Sequence, residues 1–440
     1  MNVKALVIGN NVAALVTALK LQQRGCSVCV FEHPDRVEQP ATLPLVFHGP
    51  RTYTQSLLQE AGILSSLKNL KPVPLEFLSP SNRTTAFRPA YLPSPWHAVM
   101  GLLRCSVLSR SSRWKFLNYV EKIWEGVIHL PQELHLQTAR DWLISAGQDE
   151  EACRQFWSPL CFFLLNDYLE QTAAWTFIQT LKQHFLAART HSTISMSPLP
   201  LKEFLIAPLR SLVQRQGGAF FPNAGLPQFH MTGDHIESLS INGGQTHRAD
   251  VYVSAVSPFQ LTDLLPERLL ARLGFFHRLN QLNTVPEVVL HCFVPESGPK
   301  DRLVLTSNPF QWMTRQQIRS NTGQTLSRIS CIAIADEALL SASDEKLQTL
   351  AIQEIRRVYP ELDPSHISSI EMTRQSRAFI THAPGTMTFR PSHHTPISNL
   401  FLAGYWTERD GEPTLEADIH SAHLCVESIN SVNVSSISRR

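Results

Sequence analysis

The apolar and polar positions along this chain change rhythm in an order that predicts its elements. VKALVIG at residues 3–9 is almost continuously apolar, VAALVTALKLQQRG then sets Leu15, Ala18, Leu19 and Leu21 at helical spacing with Gly25 as its stop, and SVCVFE turns apolar again up to Glu32. The pattern predicts strand, helix and strand, a βαβ unit with a right-handed crossover. A second helix is predicted over 52–67, TYTQSLLQEAGILSSL, and the Pro-rich KPVPLEFLSPSN after it reads as strand and turns around a domain boundary near 72–80.

From about 93 to 189 the periodicity is helical and broken by turns, with no good strand; ELHLQTARDWLISAG and EEACRQFWSPLCFFLLN carry it best. SPLPLKEFLIAPLRSLVQRQGG predicts a helix closed by Gly217 and Gly218, and RADVYVSAVSP a buried strand and turn. Strands follow in EVVLHCFVP and SRISCIAIA, a helix in SDEKLQTLAIQEIRRVYP, and a last strand, loop and helix in ISNLFLAGYWTERDGEPTLEADIHSAHLCVESI. A chain that opens and closes on strand and helix, and departs from that pattern between, implies a discontinuous α/β domain interrupted by a second one.

Composition alters this picture little. The 440 residues, 43% of them apolar, can fill a sizeable core, and a net charge of +2 gives no global field that would argue for a nucleic-acid partner. No run of about 18 uncharged apolar residues predicts a spanning helix, and no export signal is read at the N-terminus. The eight scattered cysteines suit free thiols in a reducing, cytoplasmic setting. Cys26 and Cys29 have metal or redox spacing, yet three residues apart on a strand they face opposite ways and read as packing. His393 and His394 match no metal pattern and read as surface residues.

The candidate chemistry begins at the first turn. In the dinucleotide fingerprint G-x-G-x-x-G/A the first glycine makes the turn, the second lets the backbone approach the pyrophosphate and the third allows helix–strand packing; here those positions are Gly9, Asn11 and Ala14. Asn11 serves if the position needs positive φ, crowds the phosphate if it needs no side chain, or donates its amide to that phosphate. Glu32 ends the second strand at the spacing of an acid that accepts from ribose hydroxyls.

The C-terminal run NLFLAGYWTERDGEPTLEADIHSA resembles the closing motif of the flavin amine oxidase and phytoene desaturase superfamily, and within it the squalene-associated branch, the hydroxysqualene dehydroxylases. Residues Asn399, Leu400, Leu402, Ala403, Gly404, Trp406, Thr407, Pro413, Thr414, Glu416 and Ser421 carry that likeness; LPSPWHAVMGLL, FWSPLCFFLLN, QWM and SRAFITHAPGTMTFRP extend it along most of the chain. Three positions depart: Tyr405 stands where the family has Asp, EHPDRVEQPATLP replaces the Gly-Gly-Arg after the second strand, and EADIHSA replaces EGAVxSG. The tyrosine could still hydrogen-bond through its phenol.

The resemblance implies a discontinuous Rossmann-like FAD-binding domain (1–75, 200–265 and 395–440) with an interleaved α+β substrate domain (76–199 and 266–394). It implies FAD against Gly9, Asn11, Val12, Ala13, Ala14, Glu32, Gly404, Tyr405, Pro413, Thr414 and Leu415. The implied reaction is reductive removal of an allylic hydroxyl from a C30 isoprenoid, hydroxysqualene, to give squalene for hopanoid synthesis. Protonation of the leaving oxygen by an acid would contribute roughly 10² to 10⁴ in rate; the sequence does not identify that acid. Asn166 is a candidate for a substrate hydroxyl contact or a helix cap. The helix after Pro413 would aim its N-terminus at the flavin ring, where negative charge collects on reduction.

Basic residues Arg83, Arg88, Arg104, Arg110, Arg113 and Lys115, with Trp96, Met100, Leu103 and Val107 near one helical face, read either as a peripheral contact with an anionic membrane through 96–115 or as a core helix with a solvated rim. Partners implied are an apolar isoprenoid substrate and squalene-pathway synthases. Two other readings stand beside this one: a flavin-free homologue that binds an isoprenoid lipid or a pathway enzyme, and another oxidoreductase of the same superfamily.

Overall fold

A computed structural model describes residues 3–32, 44–125, 132–222, 227–241, 244–295, 301–307, 309–319, 323, 325–407 and 412–431. Its organising element is a parallel sheet ordered Leu400–Leu402, Val251–Ser254, Lys4–Ile8, Ser27–Phe31, Ala219–Phe221. The predicted βαβ unit is present: Val12–Gln23 is the crossover helix, and Gly25, at φ +84°, makes the turn after it. Chain segments some 400 residues apart in sequence thus share one sheet, with Val251–Ser254 bonded in parallel to both Lys4–Ile8 and Leu400–Leu402. Ala5 to Ile8 and the whole of Leu400–Leu402 are buried, as strands covered on both faces require.

The seven-stranded sheet of the second unit is ordered Ser369–Ile380, Thr284–Val294, Thr325–Ile334, Trp312–Arg319, Arg302–Leu305, Leu75–Leu78, Thr84–Phe87. Alternation along Thr284–Val294 sends Val285 and Val289 toward a helical cluster with Leu160 and Trp157, and Val288, Leu290 and Cys292 toward the helix Asp344–Val358. The two faces explain why EVVLHCFV reads as one apolar run. The described residues within 93–189 are mostly helical, as predicted, built from Trp96–Arg104, Arg110–Glu125, Ala139–Ser145, Ser158–Leu165 and shorter pieces. No described helix is long and apolar enough to cross a membrane.

Several expectations need correction. The helix predicted over 52–67 is two, Thr52–Glu60 and Leu64–Lys68, because Gly62 takes φ +75° between them. Helices Pro258–Leu264 to Gly274–Leu279 pack through Leu261, Phe276 and Leu279 on Leu6, Ile8 and Tyr252, so the boundary expected at 265 falls inside this packing unit. Val107 lies beyond the helix Trp96–Arg104, whose buried face is Ala98, Val99 and Leu102. His393 is half-buried, bonded by Nδ1 to Leu402 O at 3.0 Å, whereas His394 is exposed as expected. The eight cysteines are free, and among the described residues no group of three side chains could hold a metal ion.

Two small motifs lock the C-terminal strand. Asn399 Oδ1 accepts from Ile236 N–H at 2.9 Å while its Nδ2 donates to Ile236 O at 2.9 Å, tying the strand to the hairpin over 228–241. Ser421, on the closing helix Leu415–Ser431, accepts from Gly404 N–H at 2.8 Å and meets Thr407 Oγ1 at 2.9 Å. Ser421→Val would strand a buried N–H and is expected to cost about 1–3 kcal/mol. The check is urea denaturation, with a lower midpoint at unchanged slope.

Candidate functional site

The parallel sheet reverses its connection order at Lys4–Ile8, with the Ser27–Phe31 strand on one side and Val251–Ser254 on the other, so a crevice opens at the strands' carboxyl ends. Gly9 and Gly404 follow two of those strands, at φ +137° and +134°. A Cβ on Gly9 would meet Ala14 Cβ at 3.3 Å and the Ala255 carbonyl carbon at 3.4 Å; one on Gly404 would meet Trp406 Nε1 at 2.7 Å. Both turns are therefore closed to any larger residue.

Asn11 is neither in a positive-φ conformation nor aimed outward. At φ −88° it caps the helix Val12–Gln23: Oδ1 accepts from Ala14 N–H at 3.0 Å and Nδ2 donates to Ala255 O at 2.6 Å. One of its two amide N–H groups and its carbonyl oxygen are thus engaged by the protein. Ala13 and Ala14 are fully buried behind it, while Val12 lines the crevice. Glu32 forms an ion pair through Oε1 with Arg210, whose guanidinium lies 4.5 Å over the Phe220 ring. Arg210 carries no sequence signal, because only the pairing of Ser27–Phe31 with Ala219–Phe221 brings it close. The segment replacing Gly-Gly-Arg lies mostly outside the described residues.

Val12, Tyr405, Pro413, Thr414 and Leu415 meet Asn166, Phe163, Glu287, Trp312 and Gln375 around a cleft of about 1390 Å³ of empty space, its open mouth included. Tyr405 donates its N–H to Asp418 Oδ1 at 2.9 Å and its phenol oxygen accepts from Ile380 N–H at 3.1 Å. The phenol thus reaches the second sheet, and burial pushes it up to about 12. Asn166 ends the helix Ser158–Leu165 at φ +55°, its N–H donating to Phe162 O at 3.0 Å. It is both a helix cap and a cleft residue. Val12 and Pro413 to Leu415, which line this cleft, are the residues that would hold FAD there.

Sequence reasoning missed a buried polar chain beside the cleft. His48 Nδ1 lies 2.9 Å from His184 Nδ1, and His184 Nε2 lies 2.6 Å from Glu412 Oε2. The facing Nδ1 atoms hold one proton between them. Burial alone would raise Glu412, yet His184, the Thr180 hydroxyl and His48 together bring it below its ordinary value. Burial, reinforced by His184, pushes His48 down to about 3. Gly49 must be glycine here: it sits at φ +72°, and a Cβ would fall 2.4 Å from the His184 ring. The one available signal was Glu412 itself, a carboxylate just before a helix start.

A second missed residue is Glu287, inward-facing on Thr284–Val294 and 3% exposed. Burial alone pushes its carboxyl up to about 8, so it is largely protonated at neutral pH. Its signal was a lone acid within an apolar strand.

The sequence profile of flavin containing amine oxidoreductases matches residues 44–430. Among curated relatives, the chain is 23% identical to a zeta-carotene desaturase of Synechocystis sp. over 70% of this chain and 68% of that protein. It is 22% identical to a 15-cis-phytoene desaturase of Glycine max over 87% of this chain and 70% of that one. Among solved structures it resembles cyclohexylamine oxidase from Brevibacterium oxydans, with TM-score 0.66, 14% identity, and 98% and 100% of the two chains covered.

The lowered values of His48 and Glu412 mean that the unfolded chain takes up protons first as pH falls. The stability they carry is present above their ordinary values, 6.5 and 4.5, and is lost as pH falls toward the folded ones, about 3 for His48. His48→Gln is expected to flatten the decline in stability between pH 6.5 and 3, read by urea denaturation across that range. His184→Ala, which leaves Glu412 buried without its histidine partner, is expected to cost about 3–5 kcal/mol in the same assay.

Proposed function

The chain belongs to the flavin containing amine oxidoreductase family and is an FAD-dependent oxidoreductase, and from that premise we propose that it acts on a C30 isoprenoid alcohol, removing the allylic hydroxyl of hydroxysqualene reductively to give squalene. One observation carries the reading. The cleft beside the helix Ser158–Leu165 is walled largely by apolar side chains, among them Val12, Phe163, Leu164, Trp312 and Phe379, and behind the same helix Phe77, Val99, Phe116, Trp157 and Leu160 line a small, wholly apolar cavity of about 50 Å³. The same helix presents Phe163, Leu164 and its cap Asn166 to the cleft on its other side. An apolar chain with one polar end suits a cleft of this lining.

Bound FAD supplies the hydride chemistry. The protein's own part is to exclude water, so that a cation formed on loss of hydroxide meets hydride first, and to hold the hydroxyl, for which Asn166, a cleft residue, is the candidate. Two relatives named for desaturation of zeta-carotene and 15-cis-phytoene support an apolar polyene-type substrate. Desaturation is the second reading, favoured by those names alone.

Entry from a membrane fits the surface above this cavity. Tyr91, Leu92, Trp96, Trp114 and Trp124 are exposed, Tyr91 by 89% and Trp114 by 66%, alongside exposed Arg88, Arg104, Arg110 and Lys115. Aromatic side chains rimmed by cations suit the boundary of an anionic bilayer. Squalene-pathway synthases are the protein partners this reading proposes.

Anaerobic incubation of the reduced protein with hydroxysqualene is expected to yield squalene with stoichiometric flavin oxidation; return of the alcohol alongside turnover of carotene precursors would transfer the assignment to desaturation. Trp96→Ala with Trp114→Ala is expected to abolish co-sedimentation with anionic liposomes; undiminished binding would contradict the membrane surface.

A further inference from the structure

The polar equipment of the cleft is concentrated on the second sheet. Glu287 stands directly opposite Gln375 in antiparallel register, which sets their side chains on one face as neighbours. Trp312, from the strand two places across, lines the same cleft. Trp312 Nε1 and Gln375 Nε2 are buried N–H donors without a hydrogen-bond partner. A buried donor left unpaired costs about 1–3 kcal/mol, so two of them beside a buried carboxyl mark a place where something else completes the bonding.

The other titratable groups around the cleft are committed. His48 is engaged by His184, and Arg51 donates to Thr190 O. Tyr405 accepts from Ile380 N–H. Glu416 accepts from the N–H groups of Tyr53 and Thr54, each at 2.8 Å, and Asp418 accepts from Tyr405 N–H. Glu287 alone among them is an acid whose environment favours its neutral, proton-bearing form.

We propose that Glu287 is the proton donor of this site, binding the hydroxyl oxygen of an isoprenoid alcohol and protonating it as the C–O bond breaks, with the Trp312 and Gln375 N–H groups receiving the carboxylate that results. The inference rests on the dehydroxylation reading above. The balance closes: the Glu287 O–H bond and the substrate C–O bond break, water leaves with the C–O electron pair, and a two-electron flavin reductant supplies hydride to the carbon. Glu287 regains its proton from solvent after product release.

The test uses the FAD-loaded protein, with flavin content and melting temperature confirming that each variant folds. Wild-type activity is expected to fall above about pH 8, and Glu287→Gln to lower kcat by roughly 10² to 10⁴ and to remove that fall. A second readout needs no turnover: by calorimetry, wild type is expected to bind hydroxysqualene more tightly than squalene, and Glu287→Leu to lose that preference. Turnover of Glu287→Gln within threefold of wild type with an unchanged pH profile would overturn the proposal, as would an alcohol preference retained in Glu287→Leu. A wild-type protein that binds the alcohol preferentially through Glu287 but never releases squalene would refute the dehydroxylation reading while supporting Glu287 as the hydroxyl site.

Discussion

The structure depends on parallel hydrogen bonding around Lys4–Ile8. Ser27–Phe31 and Val251–Ser254 pair with it on either side, and Leu400–Leu402 pairs beyond. No turn links these segments; their adjacency rests on long-range pairing paid out only when the intervening units have packed. Everything chemical follows from that arrangement. It sets the Gly9 and Gly404 turns at one sheet end, brings the start of Leu415–Ser431 to the start of Val12–Gln23, and opens the crevice where the connection order reverses.

The second unit completes the site by polarity. Its sheet and helices supply apolar walls, and the few polar groups on those walls sit where the two units meet. Tyr405 shows how the joint is made: its N–H is held by Asp418 on the closing helix and its phenol by the backbone of Ser369–Ile380. His184 and Glu412 make a second joint, binding the loop before the closing helix to the helical layer of the second unit. A substitution that looks like damage to a cofactor motif, Asp to Tyr, is thus also a link between the two sheets.

Much of the fold was legible because local periodicity carried it: the first βαβ unit, the helical middle and the closing strand and helix are where the pattern places them. The family likeness was legible for the same reason, in runs of adjacent residues. What was not legible came from tertiary pairing. Arg210 reaches Glu32 because two strands 190 residues apart lie side by side, and His48, His184 and Glu412 meet from three separate segments. Asn11 was read through its backbone and its reach toward a phosphate, whereas the Ala255 carbonyl, supplied by a neighbouring strand, decided its orientation. Glu287 was visible as an acid in an apolar strand, but its meaning required the opposite strand and its Gln375.

The central claim is that the two ends of the chain form a working flavin cradle with Asn11 and Tyr405 in place. The most direct measurement is the visible absorption spectrum of the purified protein before and after incubation with FAD and removal of the unbound cofactor. Oxidised flavin bands at one FAD per chain are predicted. A colourless protein that releases all added FAD would contradict the account.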